Sequence, residues 1–212
     1  MNTPVAAVSV RQVGPDTVAV EFETPPDFSA MPGQFVKLSG AVDGEEYGRF
    51  YTLSSPDVEE TFEVTVGVSE EGGPFSQHLA ELEPGDELEL QGPFGSNHYE
   101  GESRVVVVAG GPGVGPAVGI GERALGDGND VAVVYLDDDS AHVTRLEELA
   151  AMGATVVMDD ADAELVVHLR DVVTGDGDEQ VFVYGFADFV DRATDALAAV
   201  GYTGDSKIEN FG

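Results

Sequence analysis

The 212-residue sequence contains no cysteine. A chain without thiols forms no disulfide and no thiolate nucleophile, and it has no cysteine ligands for an iron–sulfur cluster. Long apolar runs are also missing, since no stretch approaches the roughly 20 residues that a membrane-spanning helix needs. The first residues, MNTPVAAVSVRQ, lack the basic start and apolar core of a secretory signal. These absences predict a cytoplasmic protein without a membrane span.

Positive charge is scarce in this chain. Nine Lys and Arg residues stand against 41 Asp and Glu, which gives a formal net charge of −32 at pH 7. Such a charge repels itself unless salt screens it, as in halophilic proteins, and at 1 M salt the Debye length is only about 3 Å. The composition therefore predicts adaptation to high salt. Because no basic patch is present, nucleic acid is not expected as a partner. The four histidines lack the spacing of metal ligands, so no metal site is predicted.

Two hydrophobic patterns divide the chain. Residues 1–98 contain six short alternating runs separated by Gly, Pro or Asp, and a short helix is predicted from Phe75 to Leu82. Residues 103–212 contain four continuous apolar runs, RVVVVAG, DVAVVYL, ATVVM and QVFVYG, with helical segments between them. We therefore predict an antiparallel β-barrel followed by an α/β domain with a doubly wound parallel sheet. The polar segment SNHYEGES marks the seam.

A rare cation lies in the predicted fourth strand, in the segment RFYTLSS. Arg49 stands two residues before Tyr51, and hydroxyl side chains follow. A guanidinium beside an aromatic ring suits a ligand that is both anionic and aromatic. The alternative interpretation is a half-buried strand in which Arg49 pairs with an acidic residue.

A glycine-rich turn, AGGPGVGPAVGI, follows the first predicted parallel strand. Gly111, Gly113 and Gly115 permit a tight turn and a close approach of the backbone to a phosphate, and a helix beginning near Val114 or Gly115 would direct its amide dipole at that phosphate. Pro116 suits the first helical turn. The spacing matches the dinucleotide fingerprint only in part, and glycine-rich turns also arise for packing reasons.

The order of these motifs resembles the ferredoxin–NADP reductase family of flavoproteins. Three further segments of the barrel half look like family motifs: PGQF at 32–35, GPFS at 73–76 and GPFG at 92–95. The ending ENFG at 209–212 is similar to the E-x-F ending of several members. The resemblance covers nearly the whole chain. It implies an FAD-dependent oxidoreductase that transfers electrons between NAD(P)H and an external acceptor.

The resemblance also implies roles for single residues. Arg49 would bind the FAD pyrophosphate and Tyr51 would pack against the isoalloxazine ring. Thr52 would meet flavin N5, the atom that accepts hydride, and Leu53 and Ser54 would hold the pyrimidine end. The other implied cofactor-binding residues are Phe50, Val66, Val68, Gly73, Pro74, Phe75, Ser76, Gly110, Gly111, Gly113, Val114, Gly115, Pro116, Asp137, Gly185 and Phe211.

The end of the later parallel strand departs from the family pattern. Members usually carry Cys-Gly-Pro there, whereas this chain has Tyr184, Gly185 and Phe186. The change reflects either avoidance of cysteine throughout the chain or altered nicotinamide binding. Tyr184 joins Thr52 as a candidate catalytic residue.

The C-terminal residues Glu209 and Phe211 complete the implied site. By resemblance, Glu209 would be a catalytic proton or orientation group and Phe211 would stack on the exposed face of the flavin. A frayed terminus is the alternative.

The second parallel strand is followed by Asp137, Asp138 and Asp139. A carboxylate suits the free 2′-hydroxyl of NADH, whereas the 2′-phosphate of NADPH would favour Arg, so NADH is the favoured donor. The alternative is that these aspartates belong to the acidic coat.

The electron acceptor must be separate from this cysteine-free chain. The resemblance points to ferredoxin, and a small acceptor such as a free flavin or a quinone fits the same residues. Two alternatives stay open: a non-catalytic FAD-binding electron-transfer or regulatory subunit, and a structural relative without flavin.

Overall fold

The first half of the chain forms an antiparallel barrel. The computed structural model describes residues 2–68 and 73–211. The elements of this half are β1 (Thr3–Gly14), β2 (Thr17–Glu23), β3 (Phe35–Val42), β4 (Glu45–Thr52), β5 (Thr61–Gly67), α1 (Gly73–Ala80) and β6 (Glu87–Phe94). The six strands are ordered β4-β3-β6-β1-β2-β5, and an antiparallel bridge from Leu53 to Val64 joins the two edges of the sheet. The predicted β-barrel is confirmed.

The second half forms a parallel sheet covered by helices on both faces. Its elements are β7 (Arg104–Gly110), a 3₁₀ turn (Gly111–Gly113), α2 (Val114–Gly126), β8 (Asp130–Leu136), α3 (Val143–Ala151), β9 (Thr155–Asp159), α4 (Leu165–Val172), β10 (Glu179–Gly185), α5 (Ala187–Ala199) and β11 (Lys207–Asn210). The strand order is β11-β10-β7-β8-β9. Val105 and Val107 pack with α2 and α3, whereas Val106 and Val108 pack with α4 and α5. Because alternate residues of a strand face opposite layers, the continuous valine run is buried on both sides, as predicted.

Two elements of the second half were not predicted, and one boundary differs. β11 is a short edge strand, KIEN, with a single apolar residue, so it lacks the buried run of the other strands. α4 has the sequence LVVHLRDV, whose β-branched start does not favour a helix. α1 begins and ends two residues earlier than predicted, at Gly73–Ala80.

The segment between the two sheets is held firmly. Tyr99 is fully buried, its N–H donates to the Pro32 carbonyl at 2.9 Å, and its hydroxyl accepts from Asn129 Nδ2 at 2.6 Å. Lys207 Nζ, in β11, donates to the His98 carbonyl at 2.6 Å and to Glu102 Oε1 at 2.6 Å. These contacts fix the orientation of the parallel sheet on the barrel. The domain limits 1–98 and 103–212 stay predictions.

Within residues 2–68 and 73–211, no helix has the length and apolarity to cross a membrane. No group of three or more His, Asp or Glu side chains there is arranged to hold a metal ion.

We predict that molar salt stabilises this fold. The charge of −32 makes the folded state repel itself, and screening should relieve the folded state more than the expanded one. Between 0.1 and 2 M KCl, we expect the urea midpoint to rise by roughly 1 M, or about 1–3 kcal/mol in the free energy of unfolding. An equal concentration of sucrose is the control, since it strengthens burial without screening charge. A midpoint that is independent of KCl would contradict the prediction.

Candidate functional site

Arg49 lies on β4, at one edge of the barrel sheet. Its Cα pairs with that of Leu38, and it shares a face of β4 with Tyr47 and Tyr51. The side chain is exposed, and Nη1 donates to the carbonyl of Gly48 at 3.0 Å. Within the described residues, no carboxylate forms an ion pair with Arg49. For that part of the chain, the structure therefore does not support the alternative interpretation, in which Arg49 pairs with an acidic residue.

The first turn of α1 lies beside the Arg49 face of β4. Phe75, in that turn, is buried and stacks on Tyr47 with a centroid distance of 6.4 Å and an interplanar angle of 15°. Gly73 has φ +78°, and Ser76 Oγ donates to the Gly73 carbonyl at 2.9 Å. The first N–H groups of a helix have no intrahelical acceptor. A guanidinium and a helix N-terminus on one side of the barrel are two components of an anion site.

Tyr51 and Thr52 form the end of β4. Tyr51 is half-buried, and burial raises the pKa of its phenol, against the lowering effect of the Arg49 charge. The phenol is therefore neutral at physiological pH and able to donate a hydrogen bond. Thr52 is 7% exposed, and the Leu53 N–H donates to the Gln34 carbonyl at 2.9 Å. Through that bond the PGQF segment fixes the residue after Thr52.

Four other predicted cofactor residues are placed away from the Arg49 face or are engaged elsewhere. Phe50 is 62% exposed on the opposite face of β4, in contact with Phe94. Val66 is buried in the barrel core, and the Val68 N–H donates to the Asp16 carbonyl at 2.7 Å. Ser54 is fully buried, and its N–H donates to the Glu63 carbonyl at 2.8 Å. Their roles in cofactor binding stay predictions.

The glycine-rich turn lies between β7 and α2, where the strand order reverses between β7 and β10. Gly111 has φ +55° and open space around it. By contrast, a Cβ at Gly113 would overlap the carbonyl group of Tyr184, and one at Gly115 would lie 2.6 Å from Thr65 Oγ1. Packing therefore explains Gly113 and Gly115, while Gly111 lies at the crevice where such sheets bind ligands.

Gly110, Val114 and Pro116 also pack inside the protein. A Cβ at Gly110 would lie 2.5 Å from the Phe189 ring, and both Val114 and Pro116 are buried in α2. The start of α2 therefore faces β5 of the barrel rather than open solvent.

Tyr184, a residue of β10, is fully buried on the side of the strand that faces the barrel. Its hydroxyl donates to the Asn97 carbonyl at 3.2 Å, and a Cβ at Gly33 would lie 2.6 Å from that hydroxyl oxygen. Burial raises the pKa of Tyr184, and the nearby charges of Glu209 and Glu102 raise it further. Its phenol is thus neutral and holds the seam segment, which is a packing position.

The C-terminal residues lie on the parallel sheet. Glu209 pairs in register with Tyr184, and burial raises the pKa of its carboxyl group. The Phe211 N–H donates to the Gly185 carbonyl at 3.0 Å, and the Phe211 ring meets Phe186 edge to face at 6.1 Å. The described terminus is therefore ordered rather than frayed. Gly212 lies outside the described residues.

Asp137 stands at the carboxyl end of β8. Its Oδ2 accepts from the Tyr135 hydroxyl at 2.8 Å and its Oδ1 from the Asp139 N–H at 3.2 Å. Its own N–H donates to the Asp159 carbonyl at 3.1 Å. The carboxylate is thus fixed at the edge of the sheet where a dinucleotide ribose would lie.

A polar cluster that no sequence motif predicted lies between the two halves. Arg145 in α3 contacts Glu63 of β5 and Glu122 of α2, and Thr65 Oγ1 lies 2.8 Å from His142 Nε2. Burial lowers the pKa of His142 to about 3, helped by the charges of Arg145 and Arg11, so His142 is neutral. The available signal was Glu63 itself, an acid inside the apolar run TFEVTVG.

Comparisons with known proteins support the resemblance. Residues 4–99 match the family model described as an oxidoreductase FAD-binding domain. NADH-cytochrome b5 reductase 1 from Eremothecium gossypii is 36% identical over 129 residues, which cover 58% of this chain and 45% of that protein. A probable dihydroorotate dehydrogenase B (NAD(+)), electron transfer subunit, from Methanopyrus kandleri is 36% identical over 120 residues, covering 57% of this chain and 43% of that protein. The chain thus spans less than half the length of either relative.

Solved structures agree on the fold. A ferredoxin NADP+ reductase from Neisseria gonorrhoeae with bound FAD and NADP superposes with a TM-score of 0.80 at 16% identity, over 100% of this chain and 99% of that one. A ferredoxin reductase in carbazole 1,9a-dioxygenase gives a TM-score of 0.81 at 17% identity, over 100% and 68% of the two chains. The predicted fold class and the resemblance to ferredoxin–NADP reductases are confirmed.

Proposed function

We propose that this chain, whose residues 4–99 match an oxidoreductase FAD-binding domain and whose fold is that of ferredoxin–NADP reductases, is an NAD(P)H-dependent flavoprotein reductase. One observation carries the proposal. In a chain of charge −32, Arg49 keeps an exposed guanidinium without a carboxylate partner in the described part of the chain, on the same face as Tyr51 and beside the first turn of α1. That arrangement fits a pyrophosphate joined to an aromatic ring.

The barrel residues fit FAD. Arg49 would bind the pyrophosphate as a planar fork of donors, and the N–H groups at the start of α1 would complete the phosphate site. The neutral Tyr51 ring would cover one face of the isoalloxazine, and Thr52 would contact its N5 edge. When bound, FAD would supply the two-electron chemistry, while the protein aligns donor and acceptor and excludes water.

The parallel domain fits the nicotinamide nucleotide. The crevice beside Gly111 lies at the carboxyl ends of the strands, and the Asp137 carboxylate is fixed at the end of β8. A carboxylate there accepts a hydrogen bond from a free 2′-hydroxyl and repels a 2′-phosphate. We therefore expect NADH to be the better donor, by at least about tenfold in apparent affinity, since 1.4 kcal/mol separates tenfold affinities.

An absorption spectrum tests the proposed function. The protein would be purified in molar KCl, and NADH and then NADPH added without oxygen. A flavin band that bleaches with NADH at a lower concentration than with NADPH is the expected result. A protein that stays colourless after addition of FAD would overturn the proposal and support a structural relative.

A second candidate is an electron-transfer subunit without productive nicotinamide binding. Tyr184 fills the space between β10 and the seam segment, at the position where relatives carry a thiol. One similar protein is itself named an electron transfer subunit. A flavin band that bleaches with dithionite but with neither nucleotide would favour this candidate.

The electron acceptor follows from the same proposal. We propose an external one-electron acceptor, a protein of the ferredoxin class or a small quinone or flavin, because this chain carries no cysteine ligands for a cluster of its own.

A further inference from the structure

Arg145 joins the two halves of the molecule through one partly buried guanidinium. Nε and Nη2 donate to the two carboxylate oxygens of Glu122, each at 2.7 Å. Nη1 donates to Glu63 Oε1 at 2.9 Å, and Nη2 also donates to the Ser54 carbonyl at 2.8 Å. Glu122 belongs to the parallel domain, whereas Glu63 and Ser54 belong to the barrel. Arg145 therefore fastens the C-terminal half of α2 and the start of α3 to the barrel with fixed geometry.

The barrel end of this contact lies on β5 and just after β4, the strand that carries the proposed flavin residues. Ser54 follows Thr52 by two positions, and its hydroxyl donates to Glu63 Oε1 at 3.0 Å. Its N–H donates to the Glu63 carbonyl, so the remaining backbone group of Ser54, the carbonyl, is the one that Arg145 binds. The position of Thr52 is thus linked to Arg145 through the Ser54 carbonyl and the Glu63 carboxylate.

We propose that Arg145 is a positioning residue, which sets the distance between the nicotinamide crevice of the parallel domain and the flavin edge at Thr52. This inference rests on the proposed function. Hydride transfer requires the reacting atoms to approach to about 3–3.5 Å, and a misplacement of about 1 Å can cost on the order of 100-fold in rate. A residue that fixes one domain on the other therefore controls the rate of hydride transfer rather than the affinity for either cofactor.

Arg11 offers a matched control. It also pairs with Glu63, but it comes from β1, so its ion pair lies within the barrel. Replacing Arg11 removes one cation from Glu63, as replacing Arg145 does, without breaking a contact between the domains. A second link also remains in both variants, since His142 contacts Thr65 and its N–H donates to the Val13 carbonyl at 2.8 Å. We therefore expect the domains of an Arg145 variant to stay together but to be poorly aligned.

The test compares Arg145→Gln with Arg11→Gln by anaerobic stopped-flow reduction of the bound flavin with NADH. We expect Arg145→Gln to retain flavin, to keep its Kd for NADH within about threefold, and to lose about 10- to 100-fold in the limiting rate of reduction. The kinetic isotope effect with deuterated NADH should rise, because the hydride step becomes more rate-limiting. Reduction by dithionite, which needs no domain alignment, should be unchanged. Arg11→Gln should match the unmodified protein in all five measurements.

Each other outcome has a distinct meaning. A limiting rate in Arg145→Gln equal to that of the unmodified protein, or an equal loss in Arg11→Gln, would overturn the positioning role. If Arg145→Gln does not fold, Glu122→Gln decides, because it weakens the bidentate contact and keeps the guanidinium; a several-fold slower limiting rate supports the role and an unchanged rate overturns it. An unmodified protein that holds no flavin, or whose flavin is bleached by neither NADH nor NADPH, overturns the proposed function and with it this inference.

Discussion

Arg49→Ala is expected to weaken FAD binding by at least about 100-fold, because hydrogen bonds to a charged group contribute about 1.5–3 kcal/mol each, a guanidinium makes two of them to a phosphate, and each 1.4 kcal/mol is a factor of ten in affinity. The acidic chain makes this residue hard to replace. The neighbouring cation on β3, Lys37, pairs in register with Phe50 and lies 6.0 Å from the centre of that ring, on the opposite face of the sheet. Without Arg49, a doubly negative pyrophosphate would approach a surface dominated by carboxylates.

Titration of the apoprotein with FAD, followed by quenching of flavin fluorescence in 1 M KCl, measures this loss. Arg170→Ala is the control, since Arg170 is an exposed arginine on α4 whose removal changes the net charge equally. Arg49→Lys should bind FAD with intermediate affinity, because an ammonium provides charge without the planar fork. Equal Kd values for the Arg49→Ala and unmodified proteins would refute the phosphate role. An equal loss in Arg170→Ala would assign the effect to net charge alone.

The fold was predictable because its two halves bury apolar residues with different periods. In the barrel, Val36 and Leu38 face the core while Lys37 between them faces outward. In the parallel sheet, every residue from Val105 to Val108 is fully buried, so the run is continuous. These patterns are properties of neighbouring residues, and they are visible in the sequence before any long-range contact is known.

The site was less predictable because it depends on contacts between distant residues. The sequence places Arg49 on a strand, but whether any of 41 acidic residues reaches it is decided only by the folded chain. The cluster around Arg145 joins residues 82 and 91 positions apart and follows no motif. β11 escaped notice because an edge strand of four residues with a single isoleucine has no apolar period.

Gly113 shows the same limit within a recognised motif. Its place in G-G-x-G-x-x-P predicts a close approach of backbone to phosphate, yet the group that would meet a Cβ there is the carbonyl of Tyr184, on β10. Its φ is −60°, which any residue adopts, so conformational freedom is not what requires glycine. A local pattern cannot distinguish these causes, because a ligand and a neighbouring strand both demand an absent side chain.

Gly113→Ala is therefore expected to destabilise the protein strongly. An added Cβ would overlap the Tyr184 carbonyl oxygen and lie 2.8 Å from its carbon, and neither backbone atom can move without shifting β10. Overpacking typically costs about 1–3 kcal/mol, and we expect a loss of roughly 3 kcal/mol in the free energy of unfolding because the obstacle is backbone. Urea unfolding in 1 M KCl, followed by circular dichroism, measures it.

Gly126→Ala, at the other end of α2, is expected to have the opposite effect on stability. Gly126 is the last residue of α2, and a Cβ there meets nothing within 4 Å. Alanine should stabilise that turn by up to about 1 kcal/mol, because it restricts the unfolded chain more than glycine does.

If Gly113→Ala unfolds at the same urea concentration as the unmodified protein but loses affinity for NADH, the glycine serves the ligand and the packing explanation is wrong. If stability falls and the affinity of the remaining folded protein for NADH is unchanged, Gly113 serves the junction of α2 with β10 rather than the ligand.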